Sequence, residues 1–258
     1  MPKDKVLITG ADSYIGQMLL KERTLRDAFS WVELKRDLGK AEILSELSDA
    51  KLLLHLYDSR SGSEEQLIAD NAGYTGQLIA LMEESTDVLP FIYASSDYDD
   101  SAYGRSKLLS EQLIREYGQR RRIRNMIYRL PVLIGEQLYL DAGNPLHDLC
   151  RQLILDQEAI ILPDWEEHRF VDIKDVTGEI TRALNGRPFY ATVDLSICVI
   201  PSEYYAGWER VLSILREIKE KGEAYPLPLH RKNSLEYKLY LTYHSLLDYY
   251  STRDTKSP

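Results

Sequence analysis

The chain has 258 residues, 44% of them hydrophobic, and a formal net charge of −9 at pH 7. That length and apolar content suffice for a core without disulfide or metal staples, and the acidic balance argues against non-specific nucleic-acid binding. The two cysteines, Cys150 and Cys198, have no paired spacing and no metal-ligand neighbours, which argues against a disulfide framework and a metal site and suits a reducing, cytoplasmic setting.

The opening Met1-Pro-Lys-Asp-Lys5 leads directly into an apolar run, so no targeting segment and no membrane association are expected. Short apolar runs then alternate with amphipathic stretches. Lys5 to Thr9 precedes Tyr14 to Arg26, Trp31 to Lys35 precedes Ala41 to Leu47, and Leu52 to Tyr57 precedes Glu64 to Glu84. Phe91 to Ser95 precedes Tyr103 to Gln119, and Asn125 to Leu130 follows. Strands separated by ten or more helical residues need crossover connections, which build a parallel sheet with helices on both faces. The expected fold is therefore α/β, a Rossmann-like doubly wound parallel sheet, with residues 1–130 as the dinucleotide-binding core.

Beyond Leu130 the rhythm changes. Pro131, Pro145 and Pro163 punctuate shorter elements, Phe189 to Leu195 follows, and two long helices are predicted from about Ser202 and Ser234. Residues 131–250 are expected to form a smaller substrate-binding lobe interleaved with the core, and residues 251–258 a frayed tail. Leu235, Leu239, Tyr243, Leu246 and Leu247 follow helical spacing and predict a buried stripe. The basic run Arg120-Arg-Arg122 with Arg124 reads as a solvated helix end.

Gly10 closes the first strand and Gly16 opens the first helix, a placement that lets backbone amides and a helix N-terminus hold a pyrophosphate. Ser13 stands where a middle glycine is common, and its side chain narrows the approach of phosphates. After the second strand come Lys35 and Arg36, where a basic residue accepts a 2′-phosphate and an acidic one selects NAD, so NADPH is favoured with NAD(H) as the alternative. The competing reading leaves both cations simply facing solvent.

Tyr103 and Lys107 are four residues apart in a predicted helix, so both fall on one face. The lysine is expected to lower the phenol's pKa and make it usable as an acid or base near neutrality. The competing reading is a solvated helix face.

These residues together resemble the extended short-chain dehydrogenase/reductase family, the NAD-dependent epimerases and dehydratases of nucleotide-linked sugars. The resemblance rests on Thr9-Gly10 with Gly16, His55-Leu56, Asn71 with Gly73 and Thr75, Ser95-Ser96, the Tyr103/Lys107 pair, Tyr128-Arg129-Leu-Pro131 with Gly135, and Arg169-Phe-Val-Asp-Ile-Lys-Asp175-Val. The short link from Ser96 to Tyr103 and the run Leu235-Glu-Tyr-Lys-Leu-Tyr-Leu-Thr-Tyr243 look most like the reductase portion of capsular-polysaccharide enzymes that make UDP-linked deoxy-amino-sugars.

The resemblance implies that Tyr103 is the proton donor, that Lys107 holds the nicotinamide ribose, and that Ser96, or Ser95 in a shifted register, orients the substrate oxygen. It places Ser13, Tyr14, Ile15, Leu56 and Tyr57 beside the cofactor with Gly10, Gly16, Lys35 and Arg36. His168 and Arg169 would face the substrate's sugar or diphosphate. Three departures stand out: Tyr57-Asp58 where small residues are usual, Val132 in place of an asparagine, and the acidic loop Asp97-Tyr-Asp-Asp100. The expected activity is NADPH-dependent reduction of a keto nucleotide sugar, by a homodimer on the family's pattern. The alternatives are an epimerase or dehydratase using bound NAD, and a noncatalytic dinucleotide-binding or scaffold protein whose site has drifted.

Overall fold

A computed structural model describes residues 3–85, 87–97, 101–141, 143–157, 168–186, 196–200, 204–227 and 232–254. Two compact units emerge, one of residues 1–130 with 177–200 and one of residues 131–176 with 201–258.

The first unit is built on β1 (Asp4–Thr9), β2 (Phe29–Glu33), β3 (Ala50–His55), β4 (Phe91–Ser96), β5 (Met126–Leu130) and β8 (Ser196–Val199). They form one sheet in the order β2-β1-β3-β4-β5-β8, with every pairing parallel. This is the doubly wound arrangement expected from the alternating runs. The central strands carry apolar residues on both faces because helices cover both. Leu7, Leu53, Phe91 and Ile127, from four adjacent strands, are fully buried and belong to one cluster with Leu78, Met82, Ile114 and Tyr117 of the helices.

The order β2-β1-β3 makes the gap between the carboxyl ends of β1 and β3 a topological switch point, where open α/β sheets accept ligands. Register brings Thr9 opposite His55 there.

Several boundaries differ from the sequence reading. The helix expected over Tyr14 to Arg26 breaks at Glu22 into α1 (Tyr14–Lys21) and α2 (Arg23–Ala28), because Glu22 is extended, with ψ 116°. The second strand begins at Phe29 and ends at Glu33, so Lys35 and Arg36 lie beyond it; α3 (Lys40–Leu47) follows. The stretch Glu64 to Glu84 is α4 (Glu64–Ile68) and α5 (Tyr74–Glu84), joined by a π-helical turn over Ala69–Gly73. Next comes α6 (Ala102–Arg121), capped by Ser101, whose hydroxyl accepts from the Gly104 amide at 2.9 Å. Arg120 near its end pairs with Glu83 at the surface, as a solvated helix end predicts.

The second unit has a three-stranded sheet, β6 (Val132–Ile134), β7 (His168–Asp172) and β9 (Tyr204–Ala206), with β7 between a parallel and an antiparallel neighbour. It also holds α7 (Pro145–Ile154), α9 (Trp208–Lys221) and α10 (Leu235–Asp254), while α8 (Ile173–Asn185) begins in this unit and continues into the first. The helix predicted from Ser202 instead starts at Trp208, because Tyr204–Ala206 pairs with β7 as a strand. Leu239, Tyr243 and Leu246 form the expected buried stripe of α10 with Leu235, whereas Leu247 is only partly buried. The helix continues to Asp254, so the frayed tail expected from residue 251 is helical over its first four residues. Phe189 to Leu195 and Pro163 lie outside the described residues. No described helix is long and apolar enough to cross a membrane.

Candidate active site

The site in the first unit begins with two glycines. Gly10 has φ +65°, and a Cβ there would lie 2.7 Å from the Tyr57 amide nitrogen. At Gly16 it would lie 2.5 Å from the Gly10 carbonyl oxygen. Both contacts are with backbone, so the turn between β1 and α1 can press against the end of β3 only with glycine at each position. Ser13 is the N-cap of α1, and its hydroxyl accepts from the Gly16 amide at 3.1 Å. Its side chain therefore tightens the turn by capping, with Tyr14 and Ile15 supplying the first helical residues.

A buried hydroxyl–imidazole chain then ties the two strand ends together. Thr9 Oγ1 lies 2.6 Å from His55 Nδ1, and His55 Nε2 lies 3.0 Å from Thr75 Oγ1. Thr9 Oγ1 also accepts from the Tyr57 amide at 3.2 Å. Burial, with the Lys107 charge adding to it, lowers the His55 pKa to about 3, so the ring is neutral and structural at physiological pH.

Beyond Leu56, the chain presents Tyr57 and Asp58. The Tyr57 hydroxyl accepts from Arg36 Nη1 at 2.6 Å, and Arg36 Nη2 donates to Asp70 Oδ1 at 2.6 Å. The guanidinium also sits 5.3 Å from the Tyr57 ring centroid and 5.9 Å from that of Tyr74. Arg36 is thus clamped, its pKa raised chiefly by the Asp70 hydrogen bond, whereas the sequence left open whether it simply faced solvent. The Tyr57 ring, expected beside the cofactor, holds this cation together with Tyr74. Lys35, beyond β2, is exposed, and its carbonyl accepts from the Leu38 amide.

Asp58 is the centre of the polar network. Its Oδ2 accepts from the Tyr103 hydroxyl at 3.0 Å and from Arg60 Nε at 2.6 Å, and its Oδ1 lies 3.3 Å from Lys107 Nζ. Lys107 is buried, 4.6 Å from the Tyr93 ring centroid and 6.0 Å from that of Tyr103. Burial would strip its proton, but the Asp58 carboxylate raises its pKa and holds it as ammonium. Asp58 itself falls to about 2: burial opposes ionisation, and Lys107, Arg60 and the Tyr103 hydroxyl together outweigh it.

For Tyr103 the outcome differs from the sequence expectation. Lys107 does pull its pKa down, but burial and then the Asp58 charge push it up by more, so the phenol stays protonated. The lysine's field is spent on Asp58, a residue whose importance was not apparent from the pair's spacing alone.

The π-helical turn completes the pocket wall. Asn71 Oδ1 accepts from the Ser59 amide at 2.9 Å, and its Nδ2 donates to the Ser59 carbonyl at 2.9 Å and to Ser106 Oγ at 2.9 Å. Ser106 in turn donates to the Tyr103 carbonyl at 2.7 Å. Asn71 therefore fixes the Asp58–Arg60 loop against the helix that carries Tyr103 and Lys107.

Ser95 and Ser96 end β4, both buried. The Ser95 hydroxyl is buried without a hydrogen-bond partner among the described residues, while Ser96 is engaged. Asp97 is described, with its amide donating to the Leu130 carbonyl at 3.2 Å; the remainder of the acidic loop, residues 98–100, lies outside the described residues. His168 and Arg169 belong to the second unit, on β7, where His168 is buried 5.2 Å from the Trp208 ring. Among the described residues no cluster of His, Cys, Asp and Glu is arranged to hold a metal ion.

The glycine-bounded turn at the switch point and the orphaned Ser95 hydroxyl fit a dinucleotide lying across the carboxyl ends of β1, β3 and β4. Gly10, Ser13, Tyr14, Ile15 and Gly16 would hold its diphosphate, Leu56 and Tyr57 would flank it, and Lys107 would reach its nicotinamide ribose.

Comparison with known proteins follows the same line. A family model described as "Male sterility protein", of the NAD-binding type, matches residues 64–177. No curated protein matches the chain. The capsular polysaccharide assembling protein CapF from Staphylococcus aureus is similar at 26% identity and a TM-score of 0.72, over 98% of this chain and 67% of that one. The chain thus spans about two thirds of the CapF length. UDP-glucuronic acid 4-epimerase from Bacillus cereus, in complex with NAD, has a TM-score of 0.76 at 18% identity, covering 95% of this chain and 99% of that one. UDP-glucose 4-epimerase from Thermotoga maritima has a TM-score of 0.73 at 14% identity, over 98% of this chain and 100% of that one. At these identities the two epimerases share its fold.

Proposed function

We propose that this chain is a member of the extended short-chain dehydrogenase/reductase family of NAD(P)-dependent enzymes, and that it binds a nicotinamide dinucleotide and acts on a nucleotide-linked sugar. The finer reading is an NADPH-dependent reductase of a keto nucleotide sugar. The observation that carries it is the convergence of the Tyr103 hydroxyl and the Lys107 ammonium on one carboxylate, in the unit that also holds the Gly10 and Gly16 turn.

The bound dinucleotide would supply hydride to the substrate's carbonyl carbon. Tyr103 Oη then gives its proton to the carbonyl oxygen, and the phenolate left behind is reprotonated from solvent. Ser96 donates a hydrogen bond to that same oxygen and fixes its direction. Lys107 holds the ribose hydroxyls and keeps a positive charge beside the phenolate as it forms. Arg36, a planar donor suited to phosphate, takes the 2′-phosphate of NADPH when it exchanges Asp70 for that partner.

Epimerisation at C4 is the second reading, favoured by the likeness to 4-epimerases along nearly the full length of both chains. It uses the same Tyr103 and Lys107 without net cofactor consumption. The deciding experiment mixes the protein with NADPH or NADH and a 4-keto nucleotide sugar, then follows nicotinamide absorbance and product stereochemistry. Stoichiometric NADPH loss supports the reductase, epimerised product with constant cofactor supports the second reading, and neither cofactor binding nor turnover overturns both.

A further inference from the structure

The nucleotide-sugar reading gives Asp58 no step of its own, yet its carboxylate gathers the Tyr103 hydroxyl and the Lys107 and Arg60 charges. It accepts from Tyr103, Lys107 and Arg60 at 3.0, 3.3 and 2.6 Å. Its side chain is 16% exposed and that of Lys107 only 2%, so neither charge can be satisfied by water alone. A group so placed acts on Tyr103 in two ways. It fixes the phenol as a hydrogen-bond donor, and it absorbs the two cations, Lys107 and Arg60, that would otherwise favour phenolate.

We propose that Asp58 is the positioning residue that keeps Tyr103 in its proton-donating form, so that the site is set to deliver a proton to a carbonyl oxygen rather than to withdraw one from an alcohol. This inference rests on the reading of Tyr103 as the proton-transfer residue. Reduction of a ketone begins from the phenol, whereas oxidation of an alcohol, the opening step of an epimerase, begins from the phenolate. Catalysis in both directions passes through the same transition state, so Asp58 leaves the equilibrium alone; it lowers the population of the form that starts the oxidative half-reaction.

The groups around Tyr103 are consistent in sign. Asp58 and Arg60 face it from the loop after β3, Tyr93 from β4, and Lys107 from its own helix, with neutral His55 behind Asp58 and Lys107. Arg60 sits 5.8 Å from the Tyr103 ring centroid, so both nearby cations are shared with the same carboxylate. Direction follows from burial first and Asp58 second, against Lys107 and Arg60. Removing the carboxylate while keeping its shape leaves Lys107 and Arg60 beside the phenol without the Asp58 charge.

The test needs no substrate. Tyrosinate absorbance is followed on raising the pH of the cofactor-free protein, for the wild type, Tyr103→Phe, Asp58→Asn and Asp58→Ser, with near-ultraviolet circular dichroism reporting the native fold at each point. The Tyr103 contribution is the difference from Tyr103→Phe in the same background. In the wild type it is absent until after the exposed tyrosines ionise. In Asp58→Asn and Asp58→Ser it moves down by at least about one pH unit, a tenfold change in the ionisation constant. Unchanged titration in either folded variant overturns the proposal.

Should both variants unfold, ring-carbon-labelled tyrosine in the wild-type protein answers by magnetic resonance: a Tyr103 signal that titrates with the exposed tyrosines or before them overturns the proposal. With an active enzyme, the pH profile of alcohol oxidation in Asp58→Asn levels off at lower pH than in the wild type, and identical profiles refute the assignment. Absence of any turnover counts against the nucleotide-sugar reading and leaves the titration to decide on Asp58.

Discussion

A Cβ added to Gly10 would lie 2.7 Å from the amide nitrogen of Tyr57, so the end of β1 and the chain leaving β3 touch backbone to backbone. Gly10→Ala meets this contact and also a φ of +65° that alanine adopts only with strain. The expected loss is about 1–3 kcal/mol in urea unfolding, with an unchanged denaturant slope, together with weaker dinucleotide binding. A variant as stable as the wild type would show that the strand ends can part at little cost.

His55 makes stability depend on acid. Its folded pKa of about 3 lies below the ordinary 6.5, so between those values the unfolded chain binds the extra proton. The contribution is complete above pH 6.5 and is lost as the pH falls toward 3, with a slope of about 1.4 kcal/mol per pH unit for a single proton. In His55→Gln, chemical denaturation at a series of pH values shows that slope reduced by close to one proton. An unaltered slope would mean that another group is responsible.

Lys107 and Asp58 are coupled through burial. Lys107→Met leaves the carboxylate with Arg60 as its sole remaining cation among the described contacts, and the expected cost is about 3 kcal/mol. Adding Asp58→Asn removes the stranded charge, so the double variant is less destabilised than the sum of the singles. Simple additivity in a thermal or urea cycle would show that the two side chains do not depend on each other.

Much of this architecture was legible in the chain. The buried parallel strands read as near-continuous apolar runs, since a strand covered on both faces has no polar side to display. The Tyr103/Lys107 pair was legible because four residues along a helix is a fixed geometry. Asp58 was visible only as an odd residue after the third strand. Its partners lie 45 and 49 positions away, and sequence alone does not fix where a loop carboxylate points. Arg36 was placed correctly after β2, but its capture by Asp70 and Tyr57 depends on strand order. Tyr204–Ala206 was missed because three residues carry too little periodicity, and the strand exists by pairing with β7.

Arg36 offers a direct check on cofactor choice. Arg36→Ala is expected to reduce the preference for NADPH over NADH by about tenfold or more, as loss of a charge-assisted hydrogen bond to phosphate predicts. Asp70→Asn releases the guanidinium and shifts the preference the other way. Fluorescence titration with both nucleotides measures each change; equal affinities across wild type and variants would remove Arg36 from the recognition of the adenosine end.

The π-helical turn at Ala69–Gly73 holds one residue more than a regular helical turn would. That residue rotates everything after it by about 100° around the axis, turning Asn71 toward Ser59 and Ser106 while Thr75 meets His55 and Ser110. Deleting a single residue from this turn would restore an ordinary helix and swing Thr75 away from the imidazole. Length here is therefore under tighter constraint than composition: the segment can exchange side chains more readily than it can gain or lose a position.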